Sequence, residues 1–222
     1  MDWTAFKLSL WLSIWTTIIL LIIGLLVSRA LAWRDFTGKS LIEAVVALPL
    51  VLPPTVLGYY LLTIFGRNTL LGKTFEDLTG QTLVFSFTGL VLASIIYSLP
   101  FAIQPMLRAF ESIPNSLREA AWCSGLSHWS TFRHVEFPLA RPGILSAAVL
   151  SFAHTMGEFG VVLMVGGNIP GETRTISIAI FDRTEAFDMH AANTMALALL
   201  VFAFVTVSMV YFLNRHQGRT VM

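Results

Sequence analysis

The sequence predicts an all-α polytopic membrane protein with five transmembrane helices, its N-terminus outside and its C-terminus inside. Three observations predict it. Of the 222 residues, 55% are hydrophobic and only 12% are charged, against roughly 25% charged residues in an ordinary soluble domain. Long charge-poor runs divide the chain, and a helix needs about 20 mainly apolar residues to cross the hydrocarbon layer. The bases are also uneven: Arg29, Arg34, Lys39, Arg108, Arg118, Arg133, Arg141, Arg215 and Arg219 fall inside under this orientation, while Lys7, Arg67, Lys73, Arg174 and Arg183 fall outside, which obeys the positive-inside bias. Spans are expected at about 8–28, 44–66, 83–107, 142–166 and 189–213, with Glu158 in the fourth their one charged residue.

The first span is preceded only by Lys7, is too long for a signal peptide, and is followed by Arg29-Ala-Leu-Ala-Trp-Arg34, so it is expected to stay attached. Pro49, Pro53 and Pro54 in the second span, and Pro100 and Pro105 in the third, each remove an amide donor and kink the helix. Simple kinked packing accounts for such positions; broken helices lining a path do so equally, where neighbours or a water-filled cavity satisfy the freed carbonyls. Between these spans, residues 66–82 read as an ordinary polar connector.

Between the third and fourth spans lies the polar stretch REAAWCSGLSHWSTFRHVEFP. Ser116 and Glu119 have the spacing of a capping box, so a short helix is expected to begin there, with Leu117, Ala120, Ala121 and Ser124 along one face. Gly125 ends it in the left-handed conformation. A second short helix starts at Ser127, carries Trp129, Phe132 and Val135 along one side, and stops at Pro138. Small alanines permit close approach of a partner and Trp129 suits an anchor in its pocket; an amphipathic helix lying on lipid headgroups uses the same residues. Cys123, the one cysteine, has no partner for a disulfide and reads as inert packing.

In the fourth span His154 and Glu158 are four apart and are expected to face each other, as a helix clamp or gate support flanked by Gly157 and Gly160. Outside it, Asn168, Pro170, Gly171 and Arg174 belong to a tight rim (residues 165–175), either a plain turn or a concavity of amides suited to anions. A short surface helix is expected over 176–187. There is no repeat or linker, and the chain reads as one membrane domain, 1–222.

Glu119-Ala120-Ala121, Gly125, Val135, Phe137 and Pro138 resemble the EAA loop of ATP-binding-cassette importer permeases, with Val135 and Phe137 replacing the usual isoleucine and leucine. LPLVLPPTVLGYYLL and GEFGVVLMVGGNIPGETRTISIAI resemble the molybdate permeases among them. The resemblance implies a cytoplasmic coupling loop at about 114–138, docked through Glu119, Ala120, Ala121, Gly125, Trp129, Val135, Phe137 and Pro138 on a separate ATPase. It also implies a homodimer in a bacterial or archaeal inner membrane, fed by an external oxyanion-binding protein. Tungstate, sulfate and thiosulfate permeases are the alternatives.

The chain has no phosphate loop of its own, so ATP and Mg are expected on the partner and no cofactor on this chain. His128 and His134 lack the further ligands a metal needs, and dispersed bases give no reason to expect nucleic acid. Lipid is the remaining contact. An ion-coupled anion transporter working without ATP, or a membrane hydrolase built on Ser151 and His154, are the readings from other classes.

Overall fold

The computed structural model describes residues 1–217; Arg219, among the bases expected inside, lies outside them. In chain order its helices are α1 (Trp3–Trp33), α2 (Lys39–Val51), α3 (Pro54–Ile64), α4 (Leu70–Thr79), α5 (Phe87–Glu111), α6 (Asn115–Cys123), α7 (His128–Thr131), α8 (Phe137–Met156), α9 (Gly160–Gly166), α10 (Ile176–Glu185) and α11 (Met189–Gln217), with a π-turn at Phe132–Glu136 between α7 and α8. No strand occurs among the described residues. Among the described residues, four helices are long and apolar enough to cross a membrane, or five spans if the bent pair α2–α3 is one of them.

The centre of the bundle is α1 and α8 laid on α5. Lipid is as apolar as leucine, so helices associate in it by close packing of small residues and by hydrogen bonds between helices, the latter about 0.6 kcal/mol each. The buried face of α1 fits that requirement with Ser9, Ser13, Gly24 and Ser28. The Ser28 hydroxyl donates to the Ile103 carbonyl of α5 at 3.0 Å, and a Cβ at Gly24 would press on Met106. On the other side, a Cβ at Gly143 of α8 would collide with Ala109 and the Pro105 carbonyl. The opposite face of α1 exposes Trp11, Trp15, Ile18, Ile22 and Leu26.

The prolines act unequally. Pro100 and Pro105 both sit inside an unbroken α5, so the third span is not a broken helix. Pro49 likewise lies within α2. At Pro53–Pro54 the chain does break: the ring of Pro54 excludes Pro53 from the helical region, Pro53 takes φ −55°, ψ 136°, and α2 and α3 diverge by 111°. Residues 66–82 are more than a connector, because Thr69 caps α4 by accepting the Gly72 amide and Gly80 ends it at φ 71°.

Pro138 does not stop the second loop helix, contrary to expectation. In the π-turn the Phe137 amide bonds back to the Phe132 carbonyl, and Pro138 then follows as the second residue of α8 without ending the helix. The loop therefore runs into the membrane helix without interruption. The helix expected over 176–187 forms as α10, capped by Thr175. Ile176, Ile178 and Ala179 are buried, and the Ile176 amide donates to Ser9 of α1 at 2.8 Å, so it is packed against the bundle and not merely laid on a surface.

Candidate functional site

The residues singled out in the sequence occupy three places. The first is the loop between α5 and α8. Pro114 holds the entering chain extended and α6 starts at Asn115 with no side-chain cap; Ser116 is already its second residue, so the capping box does not form. Its end follows expectation. Gly125 has φ 82°, its amide bonds to the Trp122 carbonyl and the Leu126 amide to the Ala121 carbonyl, which is a Schellman closure. Ser127 then caps α7 by accepting the Ser130 amide at 3.2 Å.

Ala121 is buried, while Glu119, Ala120, Cys123 and Ser124 are exposed. Cys123 is thus a surface thiol and not packing. Trp129 is 71% exposed, stacked on Phe132 with ring centroids 5.3 Å apart. A large aromatic held out by another ring is suited to insertion in a partner. Val135, Phe137 and Pro138 are half-buried in the π-turn and the start of α8, so they shape the joint more than its outer surface.

Sequence reasoning missed Glu136. Its carboxylate is fully buried and accepts from Arg29 Nε at 2.6 Å, Arg29 Nη2 at 3.5 Å and Arg118 Nε at 3.0 Å. The guanidinium of Arg118 lies 3.9 Å from the Trp33 ring centroid and 4.9 Å from that of Trp122. A carboxylate between Val135 and Phe137, in a loop otherwise open to water, was the one available signal.

The second place is the level at which two helices break. Gly157–Phe159 separates α8 from α9, and Pro53 separates α2 from α3. The half-helices α3 and α9 pack on each other so closely that a Cβ at Gly160 would stand 2.7 Å from that of Pro54, and one at Gly58 2.7 Å from that of Met164. The break at Gly157 also separates His154 from Glu158, which are not paired. The His154 ring stacks on Phe101 at 4.0 Å and shares a 2.9 Å hydrogen bond with the Ser98 hydroxyl; Ser98 in turn bonds Thr155 at 3.1 Å. Glu158 is 4% exposed. Ser94 interacts with its carboxyl but lies outside hydrogen-bond geometry, so both oxygens are without a partner. Ser151 is buried without a hydrogen bond too, and hence not activated by His154.

The third place is the rim. Gly167 and Gly171 take φ 65° and 81°, and the Ile169 carbonyl receives the amides of Glu172, Thr173 and Arg174. Asn168 donates to Asp182 at 2.8 Å and accepts from Arg174 Nε at 2.6 Å, with Arg174 also 3.5 Å from Asp182. Pro170 and Gly171 stand exposed at its tip. Arg174 is neutralised by this network, and the rim is a braced turn.

A family model described as binding-protein-dependent transport system inner membrane component matches residues 20–221. The chain belongs to that family. Among its relatives the molybdenum transport system permease protein ModB of Azotobacter vinelandii is 47% identical over 217 residues, covering 98% of this chain and 96% of that one. A probable sulfate transport system permease protein, cysT of Marchantia polymorpha, is 34% identical over 201 residues, covering 90% of this chain and 68% of that one. The fold is shared with solved transporters: a chain from a bacterial ABC transporter involved in the import of the acidic polysaccharide alginate superposes with a TM-score of 0.72 at 20% identity, covering 99% of this chain and 79% of the other.

Proposed function

We propose that this chain is the permease subunit of an ATP-driven molybdate importer, acting as a homodimer in a bacterial or archaeal inner membrane with its N-terminus outside. The observation that carries the reading is the 47% identity to a molybdenum permease along 98% of the chain. In this reading the exposed face of α6 and Trp129 receive a separate ATPase, which binds ATP and Mg. The unbroken run from α7 through the π-turn into α8 then carries the ATPase's movement to the break at Gly157, where α3 and α9 meet. His154, Gly157, Glu158 and Gly160 act there as clamp and gate support, and the rim of Asn168, Pro170, Gly171 and Arg174 faces the external binding protein.

The charge-free runs contain no Lys or Arg, so no fixed cation is available within them to hold a dianion, and the binding protein sets selectivity. The sulfate permease relative favours sulfate as the second cargo to test. A tagged chain is expected to co-purify its ATPase, and uptake is expected to stop on ATP depletion while surviving collapse of the ion gradient. Uptake that follows the gradient and ignores ATP would establish the ion-coupled alternative instead.

A further inference from the structure

Glu136 sits where the end of α1, the coupling helix α6 and the π-turn meet. Its side chain is 0% exposed, against 35% for Arg29 and 14% for Arg118. It joins two elements: Arg29 of α1 reaches both of its oxygens, at 2.6 and 3.5 Å, and Arg118 of α6 reaches one of them at 3.0 Å. Aromatic faces seat both cations, with Arg118 over Trp33 and Trp122 and Arg29 5.2 Å from the Phe132 centroid. Trp33 is on α1, Trp122 on α6 and Phe132 in the π-turn, so the contacts to Trp33 and Phe132 cross the joint while Trp122 braces Arg118 from within α6.

A buried ion triad is weak evidence of stability, yet withdrawing one partner is strongly unfavourable because it strands a charge away from water. Such a cluster resists separation far more than it contributes to folding. We infer that Glu136 is a positioning residue that locks the first span to the coupling loop, so that displacement of the loop moves α1 together with α8. This rests on the coupling role proposed above. The loop's covalent continuation enters α8, on which α1 also packs; the Arg29 arm adds a direct tie from the loop to the end of α1, which also carries Ser9, the support of α10 beside the rim. Movement at one end of the bundle is thereby delivered to the other along two helices.

The test uses the transporter assembled with its ATPase and binding protein in lipid. Cys123, which is exposed, is replaced by serine, and spin labels are placed on exposed Ala30 of α1 and Asn115 of α6. The expected inter-label distance is the same, with a narrow distribution, in nucleotide-free and ATP-trapped states. Arg29→Gln removes the charged arm from α1 at a partly exposed side chain, leaving the Arg118–Glu136 pair and the stacking of Arg118 on Trp33 in place. It is expected to broaden the distribution and to lower uptake per ATP hydrolysed on the order of tenfold, within the span of typical coupling between sites. Arg29→Lys keeps the charge and is expected to recover most of the loss, a distinction a space-filling role would not make.

A wild-type distance that changes between the two states overturns the inference, as does Arg29→Gln with unaltered distance and uptake. A separate label at Ser124 checks the underlying reading. If a water-soluble relaxation agent reaches it equally with and without ATPase, the coupling role fails and this inference with it; if the ATPase shields it, a negative result at Arg29 removes the inference alone.

Discussion

Gly125 occupies a backbone state that costs an L-residue with a side chain roughly 1–2 kcal/mol, and nothing lies within 4 Å of where its Cβ would be. Gly125→Ala is therefore expected to weaken the turn by about 1 kcal/mol through backbone strain alone, measured as a lower thermal midpoint and less ATPase retained on purification. Trp129 differs in being exposed, so Trp129→Ala should leave the permease folded. If it anchors the ATPase, losing about 2 kcal/mol as a hot-spot residue corresponds to about 30-fold weaker binding, which a titration of ATPase onto the reconstituted permease would read. The glycine was legible in the sequence because its conformational role is local. Glu136 was not, because its partners are 107 and 18 residues away and a carboxylate carries no sign of what it will meet. The pairing of His154 with Glu158 misled for the same reason in reverse: four-residue spacing implies a shared face only if the helix continues, and Gly157 ends it.

Among the elements, the half-helices α3 and α9 pack closely on each other at two glycines, Gly58 and Gly160. With a Cβ at Gly160 only 2.7 Å from the Cβ of Pro54, and no flexible side chain end to give way, Gly160→Ala must push them apart. The cost expected is about 1–3 kcal/mol, as for other overpacked sites, seen as a lower melting midpoint together with reduced uptake. An unchanged midpoint would mean the two helices are not held so closely. The sequence marked the break at Pro53–Pro54, since proline acts on its own backbone; the expectation of a continuous fourth span over 142–166 missed the one at Gly157. The sequence could not give the 111° between α2 and α3, which depends on what α3 packs against. Pro138 was misread as a stop because a π-turn ahead of it runs straight into α8, and nothing in FRHVE announces that turn. The helix α4 went unread since its short polar run looks like a connector until Thr69 and Gly80 are seen as its caps.

For the whole molecule, composition and charge were enough to reach a helical membrane protein, because the requirement for about 20 apolar residues per crossing leaves few alternatives. Orientation is directly testable with the chain's own cysteine. Cys123 is exposed and on the loop between α5 and α8, proposed to couple to the ATPase, so a membrane-impermeant thiol reagent is expected to label it in inside-out vesicles and not in intact cells, and bound ATPase is expected to reduce that labelling. The opposite pattern would invert the topology. Cargo is the claim on which the functional account turns, and the measurement that tests it most directly is accumulation of labelled molybdate in vesicles containing this chain, its ATPase and its binding protein. ATP-dependent accumulation that tungstate competes away and excess sulfate does not is the expected result; sulfate accumulated in place of molybdate, under the same ATP dependence, would contradict the molybdate assignment.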